Sequence, residues 1–325
     1  MKPIHASGSN RQYYREIDEH GQIVIRTVGT SLLENRAFLY LTRVFQQANL
    51  PVPQIYSISS DGLSYTQEDL GSTSLFDYIK PGREEGRWTE EILQMLEKTI
   101  RLLPHFQLEG ASHIDDWSIC YPVEAMDTRS IMWDLNYFKY CYLKPTGIEI
   151  DEPALEDEFE AMTEYLLGEN FKTFMYRDFQ SRNVMIKDGE PYFIDYQGGR
   201  RGPIYYDLAS FLWQAKAHFT PDIRKHLIEA YINELEEHML HISFSPQERI
   251  EFQDRLIHFV LFRLLQVLGA YGFRGKVEGK PHFLESLPIA EDNTYQLFVD
   301  YPYLQQEYPY IYALFEDNHV NRNRH

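Results

Sequence analysis

Three oxygen-bearing side chains lie close together in the sequence between residues 178 and 195. Asp178 precedes Asn183 by five positions, and Asp195 follows the second of two apolar runs. Phosphoryl transfer needs a carboxylate that accepts or orients the acceptor hydroxyl proton, and two oxygen ligands for Mg²⁺. The order of these residues therefore predicts that Asp178 is the catalytic base and that Asn183 and Asp195 hold the metal.

A β-hairpin accounts for the spacing of the two predicted metal ligands. Asn183 begins one apolar run, Asp188-Gly189 forms a turn signal, and the second apolar run ends at Ile194. An Asp-Gly pair between apolar runs is a typical hairpin turn. The return strand brings Asp195 beside Asn183, where one metal ion could bind both side chains.

These residues resemble the aminoglycoside phosphotransferase and choline kinase family, which has a protein-kinase-like fold. The segments RDFQSRNVM and IDYQGGRRGPIYYDLAS carry the resemblance, and they are most similar to bacterial kinases of cell-wall amino sugars, the N-acetylmuramate/N-acetylglucosamine kinases. The resemblance implies a kinase that uses ATP and Mg²⁺ to phosphorylate a hydroxyl of a small molecule, a sugar or amino sugar. It also implies that Asp207 supports the catalytic loop, while its place before a helix predicts an N-cap.

The chain departs from the family pattern at two positions that concern the site. Tyr176 stands two residues before Asp178, where the family usually has His, which is expected to remove an orienting contact. No lysine occurs between Lys2 and Lys80, so the strand lysine that usually binds the α- and β-phosphates is missing.

Arg26 is predicted to replace that lysine, because it shares a strand face with Val24, where a residue above the adenine would lie. Glu34, at the start of the following helix, is its predicted partner, and Arg15 is the other candidate.

Further nucleotide contacts are predicted before and after this strand. A tight turn at Ser7, Gly8, Ser9 and Asn10 can present backbone N–H groups to phosphates. By resemblance, the carbonyl of Glu68 and the amide of Leu70 bind adenine, and Met185 and Ile194 lie beneath the base. The predicted partners are thus a nucleotide and a small-molecule acceptor.

Four arginines bear on the choice of acceptor. They are Arg177, Arg182, Arg200 and Arg201. They favour a neutral or carboxylate-bearing sugar, whereas the acidic, tyrosine-rich remainder of the chain permits a cationic acceptor such as an aminoglycoside or choline. The segment with Arg200 and Arg201 is either a wall of the acceptor site or a solvated loop.

Two other function classes are weighed against the kinase. A non-catalytic nucleotide-binding pseudokinase is suggested by the missing lysine and by Tyr176, but Asp178, Asn183 and Asp195 are all present. A protein kinase is disfavoured, because the segment between Asp195 and Asp207 is too short for an activation loop.

The surrounding sequence predicts elements that can position these residues. Up to Leu70 the chain is strand-rich with one helix, and beyond Gly71 it is mainly helical. The predicted class is therefore α+β: a bilobal protein-kinase-like fold with a small antiparallel β N-lobe carrying one helix and a larger, mainly helical C-lobe. The predicted domains are residues 1–71, which bind nucleotide, and residues 72–325, which carry catalysis and substrate binding.

Composition restricts the partners and the compartment. The 325 residues carry 31 basic and 49 acidic side chains, a net charge of −18, which excludes nucleic acid and anionic membranes as general partners. Residues 1–50 and 171–205 are nevertheless each +2, and both are predicted to contact phosphates. Two cysteines and no apolar leader predict a cytoplasmic protein, and the apolar segment Phe259–Phe273 is predicted to be a buried helix.

Overall fold

The first part of the chain forms an antiparallel sheet whose five strands have the order β1-β2-β3-β5-β4. The strands are β1 (Lys2–Ile4), β2 (Gln12–Ile17), β3 (Ile23–Val28), β4 (Ile55–Ile58) and β5 (Ser64–Glu68). The computed structural model describes residues 2–4, 11–168, 171–240 and 243–322. Strand β1 was not predicted, because three residues that include a proline show no alternation from which to recognise a strand.

The register of the sheet decides which side chains share a face. Tyr13 of β2, Thr27 of β3 and Tyr65 of β5 lie opposite one another across three adjacent strands. Side chains alternate between the two faces along a strand, so Ile25 shares the face of Thr27 and Arg26 points to the other face.

Helix α1 (Leu32–Gln47) covers the sheet face that carries Tyr65. It begins after Ser31, whose hydroxyl accepts a hydrogen bond of 3.3 Å from the backbone N–H of Glu34. The ring of Phe38 stacks on Tyr65 with 5.2 Å between centroids. Glu34 and Phe38 are one helical turn apart, so both lie on the side of α1 that faces the sheet.

The rest of the described chain is mainly helical. Its α-helices are α2 (Leu75–Tyr78), α3 (Lys80–Glu85), α4 (Glu90–Pro104), α5 (Thr128–Phe138), α6 (Glu152–Leu166), α7 (Ile204–Leu212), α8 (Pro221–Glu234), α9 (Pro246–Gly272), α10 (Pro281–Leu284), α11 (Leu287–Asp300), α12 (Tyr303–Glu307) and α13 (Pro309–Arg322). Short π-helical segments are His105–Gly110, Lys139–Leu143, Leu235–Leu240 and Phe273–Val277. Short 3₁₀ segments are Trp117–Ile119, Lys144–Thr146, Ser181–Asn183 and Ala215–Ala217.

The predicted hairpin is present between the helices of this part of the chain. Strands β7 (Val184–Lys187) and β8 (Glu190–Phe193) pair antiparallel. Asp188 and Gly189 connect them with φ of 52° and 79°, as a two-residue hairpin turn requires.

A second, two-stranded pairing joins the segments on either side of this hairpin. Strands β6 (Phe174–Met175) and β9 (Arg200–Arg201) pair antiparallel. A Cβ at Gly199 would lie 2.2 Å from the ring of Phe174, so only glycine allows the two segments to approach this closely.

The chain folds into two compact units. The first consists of Met1–Ala125, Phe171–Phe211 and Phe219–Phe244, and it contains the sheet, α1 and the hairpin. The second consists of Met126–Asn170, Leu212–His218 and Ser245–His325. The predicted domain boundary after residue 71 falls within the first unit, and the division into residues 1–71 and 72–325 stays a prediction.

The apolar segment Phe259–Phe273 lies in the second unit, within α9 and the π-helical turn that follows. The continuous helix Pro246–Val277 has the length and composition of a membrane span, but 72% of its most apolar 18-residue window is buried inside the protein. The segment is therefore a buried helix, as predicted, and is typical of the core helix of a folded domain.

Candidate active site

A pocket of about 320 Å³ lies within the first unit. Four parts of the chain line it: the sheet with the residue before β2, helix α1, the linker that follows β5, and the hairpin with its preceding loop. The lining side chains are Ile4, Arg11, Tyr13, Ile25, Phe38, Tyr65, Gln67, Glu68, Asp69, Leu70, Gly71, Arg182, Asn183, Met185, Ile194 and Asp195. The structure thus brings together the two predicted metal ligands and the residues predicted to bind adenine, which are Glu68, Leu70, Met185 and Ile194.

Asn183 and Asp195 meet where the hairpin begins and ends. The backbone N–H of Ile194 donates to the carbonyl of Asn183 at 3.0 Å, which holds the two segments side by side. The side-chain amide of Asn183 donates to the carbonyl of Asp178 at 2.8 Å. This bond orients the amide so that its oxygen faces away from that carbonyl and is available as a metal ligand.

The environment of Asp195 fits a bound cation. Burial raises the pKa of its carboxyl group and nearby Asp178 raises it further, while a 2.7 Å hydrogen bond from Gln197 and the charge of Arg11 lower it. A divalent cation here would compensate for burying the carboxylate, and carboxylate and amide oxygens suit Mg²⁺. Asp195 also has φ of 70°, a left-handed conformation that favours Asp over most residues.

Asp207 supports the backbone of the loop that leads to Asp178, the predicted catalytic loop, as the resemblance implied. Its two carboxylate oxygens accept hydrogen bonds of 2.7 and 2.8 Å from the backbone N–H groups of Tyr176 and Arg177. Burial raises the pKa of Asp207 to about 7, although these backbone bonds lower it. The predicted N-cap is wrong, because Asp207 lies inside the first turn of α7.

Asp178 itself is exposed, next to the glycine-rich segment that follows Asp195. A Cβ at Gly198 would lie 3.9 Å from Asp178 Oδ2, so the glycine leaves the space beside this carboxylate open. The position is compatible with an acceptor hydroxyl reaching Asp178, and the role of Asp178 as base stays a prediction.

Tyr176 makes an orienting contact, although a tyrosine in place of the family's usual histidine was expected to remove one. Its ring is fully buried, and its hydroxyl donates to the carbonyl of Ile194 at 2.6 Å. Because Ile194 immediately precedes Asp195, this bond ties the catalytic loop to the predicted metal ligand. The expectation was wrong because it considered the missing imidazole and not the reach of the phenol.

Tyr176→Phe is expected to lower both stability and turnover. The variant leaves the Ile194 carbonyl without its donor, which should reduce the free energy of unfolding by about 1–3 kcal/mol. Looser placement of Asp195 should lower kcat by up to about tenfold. Urea unfolding and initial rates measure the two effects. Tyr14→Phe is the matched control, since the Tyr14 hydroxyl donates to the exposed side chain of Gln12. Equal behaviour of the two variants would contradict the assignment.

The structure does not place Arg26 at the pocket, and its predicted pairing with Glu34 is wrong. Arg26 Nε lies 3.4 Å from Glu16 Oε2, and Arg26 is absent from the pocket lining. Glu34 Oε1 instead lies 3.4 Å from Arg11 Nη2. The prediction assigned the faces of β3 wrongly by one residue, because Ile25 and not Val24 faces the pocket. A shift of one residue moves every side chain of a strand to the opposite face of the sheet.

The alternative candidate, Arg15, holds the linker that follows β5. Its Nε donates to Asp69 Oδ2 at 2.6 Å, and its Nη2 donates to Asp69 Oδ1 and to the carbonyl of Gly71, both at 2.9 Å. The ion pair between Lys187 and Glu68 joins the end of β5 to the hairpin. Arg15 therefore positions the residues at the pocket edge through Asp69.

The four arginines predicted near the acceptor lie in different surroundings. Arg182 lines the pocket, and the guanidinium carbon of Arg177 lies 5.0 Å from the ring centroid of Tyr206. Arg200 is buried and donates from Nε and Nη2 to the carbonyl of Gly198 at 3.1 and 3.0 Å. Arg201 lies with its guanidinium carbon 6.0 Å from the Trp117 ring centroid.

The solvated-loop interpretation of this segment is therefore wrong for Arg200, which is buried in strand β9 and binds its own loop. A role for any of the four arginines in acceptor binding stays a prediction. The predicted phosphate-binding turn at Ser7, Gly8, Ser9 and Asn10 lies outside the described residues.

Sequence reasoning missed the pocket residues contributed by the inner face of the sheet. Gln67 is the clearest case, because it is 9% exposed and its side-chain oxygen is buried with no hydrogen-bond partner within the described residues. Arg11, Tyr13 and Ile25 were missed as well. Alternation along β3 counted from Ile25 gives the pocket face of that strand only, whereas Arg11 and Tyr13 depend on how β2 pairs with β3.

Comparison with known proteins shows what this chain is similar to. Residues 1–241 match the model of a family described as the phosphotransferase enzyme family. The N-acetylmuramate/N-acetylglucosamine kinase of Pseudomonas aeruginosa is 21% identical over 88% of this chain and 80% of its own length. The protein of the same name from Neisseria meningitidis serogroup B is 23% identical over 87% of this chain and 81% of its own length.

Among solved structures, one similar protein is the amicoumacin kinase hAmiN in complex with AMP-PNP, Ca²⁺ and Ami. It superposes with a TM-score of 0.63 at 10% sequence identity, covering 90% of this chain and 88% of that one. The likeness confirms the predicted α+β protein-kinase-like fold class.

Proposed function

Because this chain belongs to the phosphotransferase enzyme family and is a small-molecule kinase, we propose that it phosphorylates an amino sugar with ATP and Mg²⁺. The observation that carries the proposal is the meeting of Asn183 and Asp195 in one pocket, with Asn183 bonded to the backbone of Asp178. This arrangement supports the proposal, because two side chains whose oxygens can bind Mg²⁺ lie in one pocket, close in sequence to the carboxylate of Asp178.

The pocket offers a suitable surface for a purine base. Ile25 lies on the sheet side, and Met185 and Ile194 lie on the hairpin side, so a flat ring can be enclosed between apolar side chains. The carbonyl of Glu68 and the amide of Leu70 border the same space and would bind the edge of adenine.

The proposed reaction is a single displacement at phosphorus. The acceptor hydroxyl oxygen forms a bond to the γ-phosphorus of ATP, and the bond from that phosphorus to the β,γ-bridging oxygen breaks, which releases ADP. Asp178 takes the hydroxyl proton. Mg²⁺ held by Asn183 and Asp195 would neutralise charge on the phosphate oxygens. Asp207, through the backbone of Tyr176 and Arg177, keeps the loop of Asp178 in place.

The acceptor class rests on the sequence relatives and on charge. Two relatives that each match more than four-fifths of this chain are named as kinases of N-acetylmuramate and N-acetylglucosamine. Arg182 in the pocket lining, with Arg177 beside Asp178, suits a neutral or carboxylate-bearing sugar better than a cationic acceptor.

A substrate panel tests the proposal. Purified protein with ATP and Mg²⁺ is incubated with N-acetylmuramate, N-acetylglucosamine, kanamycin or choline, and ADP release is measured against a reaction without acceptor. We expect release above background with an N-acetylated sugar and formation of a phosphomonoester detectable by ³¹P NMR. Turnover of kanamycin or choline alone would overturn the acceptor class. Thermal stabilisation by ATP and Mg²⁺ without transfer to any acceptor would overturn the catalytic role and leave a nucleotide-binding protein.

A further inference from the structure

Arg11 lies in the pocket close to where the proposed function requires a phosphate-binding cation. It directly precedes β2, its side chain is only 3% exposed, and it lines the same pocket as Asn183 and Asp195. The family's strand lysine is missing from the sequence. We infer, on the basis of the proposed function, that Arg11 binds the α- and β-phosphates of the nucleotide in place of that lysine.

Helix α1 holds the guanidinium of Arg11 in two ways. Glu34 Oε1 lies 3.4 Å from Arg11 Nη2, and the guanidinium carbon lies 5.6 Å from the ring centroid of Phe38. Glu34 and Phe38 are one turn apart, so one binds the charge while the other supports its plane. A guanidinium has five N–H donors in a planar fork, so contact with one carboxylate is compatible with binding phosphate oxygens.

The sheet register explains why the proposed phosphate-binding residue is Arg11, directly before β2, and not a residue of β3. Thr27 is two residues after Ile25 on the pocket face, which is where a strand lysine would lie relative to a residue above the base. It is fully buried between Tyr13 and Tyr65 on the neighbouring strands. Its side chain is too short to reach a phosphate, whereas Arg11, two residues before Tyr13 on the same face, has the necessary length.

Arg11 carries a permanent positive charge in the pocket. Burial lowers its pKa, but the nearby tyrosines together with Glu34 and Asp195 raise it by more, so the net shift is upward. A permanently charged, planar group can bind two phosphate oxygens at once, which a lysine ammonium does not do with the same geometry. Lysine at position 11 is therefore not an equivalent replacement.

The test compares ADP with adenosine, which lacks the phosphates, in calorimetric titrations without Mg²⁺. Arg11→Met keeps the apolar length of the side chain and removes its charge. We expect it to weaken ADP binding about 10- to 100-fold and to leave adenosine binding within about twofold. Arg43→Ala is the control. It removes an exposed guanidinium of helix α1 that does not line the pocket, and it should leave both affinities unchanged.

A relocated cation makes the test specific. In the double variant Arg11→Met with Thr27→Lys, the charge returns from the strand position that the family uses, and ADP affinity should recover by about fivefold or more. Arg26→Ala tests the competing residue, and a loss of ADP affinity there but not in Arg11→Met would overturn the inference.

The outcomes distinguish this inference from the proposed function. If the wild-type protein binds neither ADP nor adenosine, the proposed function fails and the inference fails with it. If the wild type binds ADP and Arg11→Met binds it equally well, only the assignment of Arg11 fails. Should Arg11→Met not fold, as judged by circular dichroism, Arg11→Gln decides, because it keeps a polar side chain and removes the charge: an unchanged preference for ADP over adenosine overturns the inference, and a reduced one supports it.

Discussion

Asp195→Asn is expected to lower kcat by about 10³-fold or more while the protein stays folded. The variant keeps a polar side chain at the position and removes the negative charge that a divalent cation would meet there. A metal ion contributes several kcal/mol to stabilising charge in a transition state, and each 1.4 kcal/mol is a factor of about ten in rate. Loss of Mg²⁺ from this site should therefore remove nearly all turnover.

Asparagine is a better test of Asp195 than alanine because of the backbone. Asp195 has φ of 70°, and a left-handed conformation costs ordinary residues about 1–2 kcal/mol, whereas Asn adopts it readily. Asp195→Ala should also abolish turnover, but it adds this strain. Asp188→Asn is the matched control, since Asp188 has φ of 52° in the turn of the same hairpin.

The measurement for Asp195→Asn has two parts. Initial rates give kcat, and titration of ADP with and without Mg²⁺ gives the contribution of the metal to binding. We expect Mg²⁺ to strengthen ADP binding to the wild type and to Asp188→Asn, and to have no effect on Asp195→Asn. Full activity of Asp195→Asn would remove the basis of the metal assignment.

The hairpin between Asn183 and Asp195 was predictable because its geometry is local. Only eleven residues separate Asn183 from Asp195, and the Asp188-Gly189 turn fixes how the two strands pair. A short connection with one turn signal leaves few alternative arrangements. The structure accordingly places the two side chains together, as the spacing indicated.

The position of Arg11 in the pocket was not predictable in the same way. In the run Ile23, Val24, Ile25, apolar residues occupy both faces, and Val24 and Ile25 are both buried, so alternation does not reveal which face meets the pocket. The pairing of Arg11 with Glu34 depends on how α1 packs against the sheet, which no local pattern specifies. The sequence therefore favoured Arg26, which the structure places on the other face of β3 and not in the pocket lining.

Asp178→Asn is expected to lower kcat by about 10²- to 10⁴-fold, the range typical of general acid–base groups. The amide cannot accept the acceptor hydroxyl proton, although its size and polarity match the carboxylate. Asp178 is exposed, and the hydrogen bond that joins it to Asn183 runs from the Asn183 side-chain amide to its backbone carbonyl, which the substitution leaves in place. The fold and the metal site should thus be preserved.

The contrast with Asp195→Asn identifies what Asp178 does. In Asp178→Asn, Mg²⁺ should still strengthen ADP binding as in the wild type, and KM for ATP should change by less than about threefold, because the loss is confined to the chemical step. Asp222→Asn, an exposed carboxylate in the first turn of α8, serves as the control. If Asp178→Asn instead loses the effect of Mg²⁺ on binding, Asp178 is a metal ligand, and the base must be sought elsewhere. If its kcat is unchanged, deprotonation of the acceptor needs no carboxylate at this position.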